Sequence, residues 1–379
     1  GDRALSFLPL CHVLERIGNY TFQHKGLSIY YVESIQKIAE NIKEVSPHIF
    51  VTVPRLMERL YDKILEKGKN LSGLKKVLFF AALEHGLKYT NEKSTLWYKL
   101  QLMLYRKLIF KKWQEALGGK LRLVIAGGAA LQPRLARIFH AAEIEIYEGY
   151  GLTETAPVIT VNRPGELKFT TTGPLLHNEQ QVKIADDGEI LFKGPNLMLG
   201  YYKTPKLTKE VIDEDGWFHT GDIGEILDGK FLKITDRKKE MFKLSTGKYI
   251  APQVIENIFK ESLFIEQLMV TGENQKYTAA LISPNFDFLH AWAHRKKISY
   301  KNNRELVDNP VVIERYREET DKYNERLSNA EKIKKFLLVC EEWSPENGEL
   351  SPTLKLKRRH IREKYIDKCN RLFENNPKV

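Results

Sequence analysis

Cysteine is scarce in this chain. Cys11, Cys340 and Cys369 are the only three among 379 residues, scattered and without a C-x-x-C pair, which excludes a disulfide framework and suggests no zinc site. A reducing, cytoplasmic setting is the expectation. Long apolar runs are missing as well: none approaches the roughly 20 residues of a membrane-spanning helix. Gly1 begins no signal peptide, so a soluble protein is expected. There is no internal repeat and no low-complexity tract. Acidic residues are outnumbered, 49 against 60 lysines and arginines for a net charge of +11, an excess that favours anionic partners: nucleotides, phosphorylated cofactors, acidic membrane surfaces or nucleic acid. Charge alone does not choose among them.

What is present has the balance of a globular protein, 42% hydrophobic and 29% charged, and the length predicts two domains with room for a third lobe. From Ser34 to Trp113 the spacing predicts helices in "IQKIAENI", "RLMERLYDKIL" and "LWYKLQLMLYRKLIF", broken at Ser46-Pro47 and around Gly68 to Gly73. The last of these is amphipathic and basic. A helix lying on a membrane surface is one reading; a core-facing helix with a solvated lysine and arginine face is the one adopted.

Beyond it the pattern becomes strand, helix, strand: "LRLVIAGGAAL", "QPRLARIFHAA", "AEIEIYEGYGL". This is a βαβ unit and implies a parallel sheet with loops at its carboxyl edge. From Gly165 to Thr235 short alternating segments with turns at Asp187-Gly188 and Asp228-Gly229 predict a small β-rich lobe. A boundary follows near Arg237 to Lys239, and the remainder predicts a smaller α+β domain.

In "YEGYGLTETAP", Tyr147 to Pro157, the glycines free the backbone to turn and approach a ligand, while exposed N–H groups and the Thr153 hydroxyl can donate to phosphate. Glu154 supplies the hard oxygen that magnesium prefers, and Tyr150 a flat face for a base. The other reading is a glycine-rich turn whose polar side chains cap the next helix. In "GWFHTGDIGEI", Asp222 could accept from both vicinal hydroxyls of a ribose or simply close an Asx-turn. Arg237, Lys238, Lys239, Lys243 and Lys248 in "DRKKEMFKLSTGKYI" are either a solvated hairpin face or half of an anion site. Lys355 in "GELSPTLKLKRRHI" is a mobile catalytic cation or part of a basic tail.

The order of "LPLCHVLER", "AGGAAL", "YEGYGLTET", "GYYKTPKLT", "WFHTGD", "DRKKEMFKLSTGKYI" and "PTLKLKRR" resembles the adenylate-forming enzyme superfamily, and within it the long-chain fatty acyl-CoA synthetases, over about residues 5 to 366. The resemblance implies an adenylate-forming fold of the α/β class. A large domain would comprise an incomplete α/β subdomain at 1–164 and a β-rich lobe at 165–236. A hinge at 237–240 and a mobile α+β domain at 241–379 would follow. It implies ATP-dependent activation of a fatty acid through an acyl-adenylate, transfer to CoA and release of AMP and pyrophosphate, with Mg²⁺.

By the same resemblance, Thr153 would bind phosphate and Glu154 the magnesium. Glu148, Gly149 and Tyr150, with Gly151, would frame the nucleotide, and Gly128 and Ala129 would contact adenine and the head of the acyl tunnel. Asp222 and Arg237 would hold the ribose. Lys355 would bridge carboxylate and α-phosphate. Lys239 falls at the hinge; Lys239 and Lys243 can approach AMP phosphate, and Gly247 lies on the pantetheine path. His12 matches a histidine near the acyl site, with a satisfied core histidine as the other reading.

One departure stands out. A phosphate loop of the kind T-S-G-T-T-G-x-P-K-G should precede "LPLCH" and occurs nowhere in the sequence, so the chain is expected to be a fragment. Two other functions remain: a ligase that hands its acyl group to a carrier protein, and a basic binder of nucleic acid or acidic membranes. The expected partners are ATP, fatty acid and CoA, with peripheral membrane contact and without nucleic acid.

Overall fold

A computed structural model of the chain describes residues 1–91, 94–351 and 354–374. Its contacts separate two compact units, Gly1–Thr220 with Gly224–Ile234, and Gly221–Ile223 with everything from Thr235 onward.

The first unit is organised by a six-stranded sheet, β1 (Arg3–Ser6), β2 (Ser28–Tyr31), β3 (Ile49–Thr52), β4 (Leu123–Ala126), β5 (Glu145–Gly151) and β6 (Val158–Val161), in the order β2-β1-β3-β4-β5-β6. The first five are parallel and β6 turns back against β5. The expected βαβ unit is β4, the helix Pro133–Ala141 and β5; proline at the helix start gives up an N–H that has no intrahelical partner anyway. The sequence reading ran helical across β3, which in fact lies mid-sheet between β1 and β4. Phe50, Val51 and Thr52 are buried on both faces, so the run shows no alternation and periodicity has nothing to detect.

Helices Pro54–Lys69, Gly73–Leu87 and the continuous run 96–116 meet around Trp113, whose ring lies 5.1–6.4 Å from those of Tyr61, Phe79, Phe110 and Phe139. Gly68 permits that approach, since a Cβ there would fall 2.0 Å from the Phe79 ring. The run 96–116 contains one π-helical turn, Arg106–Phe110, and buries Leu102, Ile109, Phe110 and Trp113. Its other side corrects the sequence reading: large apolar side chains stand exposed there among the lysines, so it is no purely cationic face.

Strands β7 (Gln181–Ile184), β8 (Glu189–Lys193), β9 (Phe218–Leu227) and β10 (Phe231–Arg237) form the β-rich sheet, in the order β10-β9-β8-β7. Its turns fall where expected. Gly188 has φ +86°, and Asp228 and Gly229 both adopt the left-handed conformation of a tight hairpin, at φ 51° and 69°.

In the second unit, β11 (Phe242–Lys243) and β12 (Tyr249–Ile250) form a hairpin before the helix Pro252–Phe259. A three-stranded sheet follows, β13 (Ile265–Thr271), β14 (Thr278–Pro284) and β15 (Ile333–Leu338), with β14 central, antiparallel to β13 and parallel to β15. Phe259, Leu268, Ile282, Leu289 and Tyr316 form one core, and Leu281, Trp343 and Ile361 belong to another. Residues 301–335, whose polar spacing reads as helix, hold the helices Asn303–Val307 and Pro310–Asn324 as that spacing implies; only at Ile333 does the chain leave the pattern to enter β15.

Replacing Trp113 by alanine is expected to destabilise the first unit by about 3–5 kcal/mol, the usual cost of truncating a buried aromatic. Urea unfolding followed by circular dichroism measures it; an unchanged midpoint would contradict the packing described.

Candidate functional site

Because β1 to β5 are parallel, the loops leaving β1, β3 and β4 and the β5–β6 hairpin gather at one edge of the sheet, where α/β folds bind ligands. The loop after β4 is bound to its neighbours on both sides: Gly127 N–H donates to Thr52 O at 3.1 Å, and Leu131 N–H donates to Glu148 Oε1 at 3.0 Å. A Cβ on Gly127 would lie 3.2 Å from Leu14 and 3.6 Å from Gly149 O. Gly128 needs φ +82°, which favours glycine, and Ala129 is exposed beside it. Burial of the Glu148 carboxyl under this loop pushes it up to about 8, against which the Leu131 N–H acts as the lesser influence.

His12 has a structural task that neither sequence reading foresaw. It is half-buried rather than in the core, and its Nδ1 accepts from Leu14 N–H at 3.2 Å, capping the helix Val13–His24. Below it Glu15 is buried, bonded by Ser6 Oγ and Asn19 Nδ2, and burial raises its carboxyl.

The stretch "YEGYGLTETAP" is a strand and a single tight turn. β5 continues through Gly151, pairing Gly149 with Val161, Tyr150 with Thr160 and Gly151 with Val158. A Cβ on Gly151 would fall 1.7 Å from Pro157 O, so only glycine closes this hairpin. Thr153–Thr155 is a 3₁₀ turn, and the capping group is Thr155, which accepts from Leu152 N–H at 3.0 Å and donates to Pro157 O. No helix follows it; β6 does.

Thr153 stays exposed, and Glu154 Oε1 accepts from Tyr201 Oη–H at 2.8 Å. Burial, then the bond to Glu154, pushes the Tyr201 hydroxyl up to about 12. Tyr201, from "GYYKTPKLT", is a residue that the sequence reading did not single out. The Tyr150 ring packs against Ile159, Phe192 and Phe218.

In the second unit, Asp222 is buried and Arg237 Nε stands 3.3 Å from its Oδ1. Lys355 lies within the same field. Burial lowers its ammonium below the ordinary lysine value, Arg237 adds to that, and Asp222 and Glu240 oppose it. The Lys355 backbone is closed onto Ser351, donating to Ser351 Oγ at 3.0 Å and accepting from Ser351 N–H at 2.8 Å; Pro352 and Thr353 of that motif lie outside the described residues.

Lys239 is exposed in a turn closed by Glu240 and Met241 N–H onto Arg237 O, at 3.0 and 3.1 Å. Lys243 faces Tyr249 across the hairpin, its Nζ 5.3 Å from the ring centre. Gly247 turns that hairpin at φ +85° with nothing within 4 Å of a would-be Cβ, so backbone conformation rather than crowding demands glycine here.

A half-buried clamp on buried Glu256 joins these parts. Both Arg358 Nη atoms donate to Glu256 at 2.7 Å and its Nε donates to Glu240 at 2.8 Å. Glu256 also accepts from Val270 N–H at 2.8 Å, and Gln253 Nε2 donates to Glu240 at 3.1 Å. Burial raises Glu240, but Arg358 and Gln253 outweigh it and hold the carboxyl low. Asp236, just before the turn at Arg237–Met241, accepts from Arg237 and Gln253 N–H at 2.6 and 3.3 Å, and burial pushes it up to about 7. Nothing in "LKLKRRHI" distinguishes Arg358 from its neighbours, so sequence reasoning missed it.

The first unit therefore holds His12, Gly128, Ala129, Glu148, Gly149, Tyr150, Gly151, Thr153 and Glu154, and the second holds Asp222, Arg237, Lys239, Lys243, Gly247 and Lys355. Glu154 and Lys355 belong to different units, and each is placed within its own. Among the described residues no group of three or more His, Cys, Asp or Glu could hold a metal ion alone.

A family model described as AMP-binding enzyme matches residues 1–202, and one described as AMP-binding enzyme C-terminal domain matches residues 239–377. The chain is similar to mouse long-chain-fatty-acid–CoA ligase 6, 34% identical over 98% of this chain and 54% of that protein. It is also similar to long-chain-fatty-acid–CoA ligase FadD15 of Mycobacterium bovis, 31% identical over 98% of this chain and 62% of that one. A third relative is Arabidopsis thaliana long chain acyl-CoA synthetase 6, peroxisomal, 34% identical over 98% and 55%. The chain thus spans little more than half the length of such relatives. Among solved structures, the adenylation domain of a carboxylate reductase from Mycobacterium chelonae superimposes with a TM-score of 0.72 at 22% identity, covering 98% of this chain and 54% of that one. At that identity the likeness speaks for the fold, which is the adenylate-forming one.

Two outcomes follow from the buried charges. The folded-state value of Glu148 is raised, so its contribution to stability is full below about 4.5 and lost as pH rises through about 8. Glu148→Gln should therefore gain thermal stability over the unsubstituted protein as pH rises from 5 to 9; parallel melting curves across that range would contradict it. Arg358→Met leaves Glu240 and Glu256 without their cation and should cost about 3–5 kcal/mol, read as a lowered urea midpoint that Arg358→Lys restores only in part.

Proposed function

Since the chain belongs to the AMP-binding enzyme family, we propose that the whole protein activates a long-chain fatty acid with ATP and passes it to CoA. The observation that carries this is the company kept by Lys355: a buried Asp222 paired with Arg237 in the field of the same ammonium, beside likeness to long-chain-fatty-acid–CoA ligases over 98% of the chain.

In the first step a carboxylate oxygen attacks the α-phosphorus of ATP. A P–O bond forms to the acid, the bond to pyrophosphate breaks, and acyl-adenylate results. In the second the CoA sulfur attacks the acyl carbonyl, the C–O bond to AMP breaks, and the thiol proton leaves to solvent. An anion must approach an anion in the first step, so Lys355 would bridge the carboxylate and the α-phosphate and neutralise the charge that develops. Asp222 would accept from the two ribose hydroxyls, with Arg237 holding its carboxylate in place.

Gly128, Ala129, Glu148, Gly149, Tyr150 and Gly151 would border the nucleotide, with Thr153 donating to phosphate. A Glu148 carboxyl held near neutrality could donate as well as accept toward a base. Mg²⁺ fits the donor set: it binds through one or two carboxylates plus substrate phosphates rather than in an all-protein cage, and Glu154 offers one such carboxylate steadied by Tyr201. When bound it would neutralise phosphate charge.

The turn 237–240, with Lys239, is the hinge of this reading, separating 1–164 and 165–236 from a mobile 241–379. Lys239 and Lys243 would approach AMP phosphate, His12 would border the acid, and Gly247 the pantetheine arm. The protein would act in the cytoplasm, with peripheral membrane contact because long acids dissolve in bilayers.

Assay of the purified protein with ATP, CoA and acids from C6 to C20 should release AMP and pyrophosphate. Lys355→Met should slow adenylate formation at least about 100-fold, the scale of losing one preorganised electrostatic partner, while conversion of supplied acyl-adenylate to thioester changes little. No AMP with any acid, or thioester only on a phosphopantetheinylated carrier protein, would reject this reading.

A further inference from the structure

The ligase chemistry leaves one surface of the first unit unused. Along the helical run 96–116, Leu96, Trp97, Leu100, Met103, Leu104 and Leu108 are exposed, Leu96 by 75% and Trp97 by 69%. Their spacing of one, three, three, one and four residues places them on one side of the helix, away from buried Leu102 and Ile109. The neighbouring helix Gly73–Leu87, joined to this run by the stack of His85 on Tyr98 at 4.1 Å, leaves Leu74 and Val77 bare near its start. An apolar stripe of this length on a soluble surface is unusual and marks a contact.

Charge identifies the occupant. From Leu96 to Ala116 the sequence holds five cations and a single acid, Glu115. Arg106 is engaged internally, donating to Ala141 O at 2.9 Å and pairing with Glu143 at 3.3 Å, whereas Lys99, Lys107, Lys111 and Lys112 are exposed. A groove of 720 Å³ beside the stripe is lined in part by Lys99, Lys107 and Lys111. Lysine is depleted in protein interface cores, and a symmetric pair of copies would set these lysines against each other. A lipid surface suits the pattern better. Leucine, tryptophan and methionine enter the acyl boundary, and lysine stems extend their ammonium groups back to phosphate. No helix among the described residues is long and apolar enough to cross a membrane, and this run, carrying its cations beside the stripe, would lie along the surface.

We propose that the helical run 96–116 docks the protein onto an anionic lipid bilayer, through the apolar stripe Leu96–Leu108 and its flanking lysines. The inference deepens the peripheral contact of the ligase reading and rests on that reading only for its benefit, access to an acid dissolved in the membrane. Binding itself needs neither ATP nor acid.

Flotation of the purified protein with phosphatidylcholine vesicles, with and without phosphatidylglycerol, tests it. Binding should require the anionic lipid and weaken with salt. Lys99→Gln with Lys107→Gln should lower partition about 25-fold, at about fivefold per lysine near the surface, and Trp97→Glu with Leu100→Glu should abolish it while the circular dichroism melting point is retained. No binding to anionic vesicles, binding indifferent to both pairs of substitutions, or a dimer dispersed by those substitutions without vesicle binding would overturn the proposal. Turnover measured in detergent micelles judges the ligase reading separately.

Discussion

Parallel pairing from β2 through β5 is the constraint on which the first unit depends. A parallel strand must return by a crossover, so each strand leaves the sheet at the same edge, and segments far apart in sequence arrive there together. The Gly127–Leu131 loop after β4 is bonded to Thr52 at the end of β3 and to Glu148 in β5, while Leu14, beyond β1, covers its glycines. The hairpin at Gly151 then fixes where Thr153 and Glu154 emerge, because no side chain fits against Pro157. Small residues here are needed for approach.

The second unit solves a different problem, that of keeping cations close together. Arg237, Lys355 and Arg358 all serve one neighbourhood, and each is balanced by carboxylates: Asp222 for Arg237, Asp222 and Glu240 for Lys355, Glu240 and Glu256 for Arg358. The bidentate bond of a half-buried guanidinium is directional as well as strong. It therefore ties the segment that follows Lys355 to the turn that carries Lys239. Asp236, kept near neutrality by burial, sits at the same turn.

Motif order was legible in the sequence to a degree that individual roles were not. "AGGAAL" and "YEGYGLTET" fall on a loop and a hairpin at one sheet edge because glycine reports backbone shape directly, whatever surrounds it. His12 was less legible: a histidine near an apolar run reads as core or site, and its use as a helix cap depends on the φ and ψ of its own residue. β3 escaped because a strand buried on both faces carries no period. The exposed apolar stripe of the run 96–116 escaped for the opposite reason: periodicity reveals an amphipathic helix but does not say which of its sides the rest of the chain covers.

By itself, the sequence determined the α/β class, the βαβ unit, the turns at Gly188 and Gly229, and an ordered set of charged and glycine-rich motifs, all of which follow from local propensity and spacing. Tertiary structure alone decided which carboxylates are neutralised and by whom: that Arg358 rather than its neighbours clamps Glu240 and Glu256, that Glu148 is buried enough to retain its proton near neutrality, and that Tyr201 holds Glu154. These are matters of burial and of approach between residues distant in the chain, and both are properties of three-dimensional packing that a linear pattern does not contain.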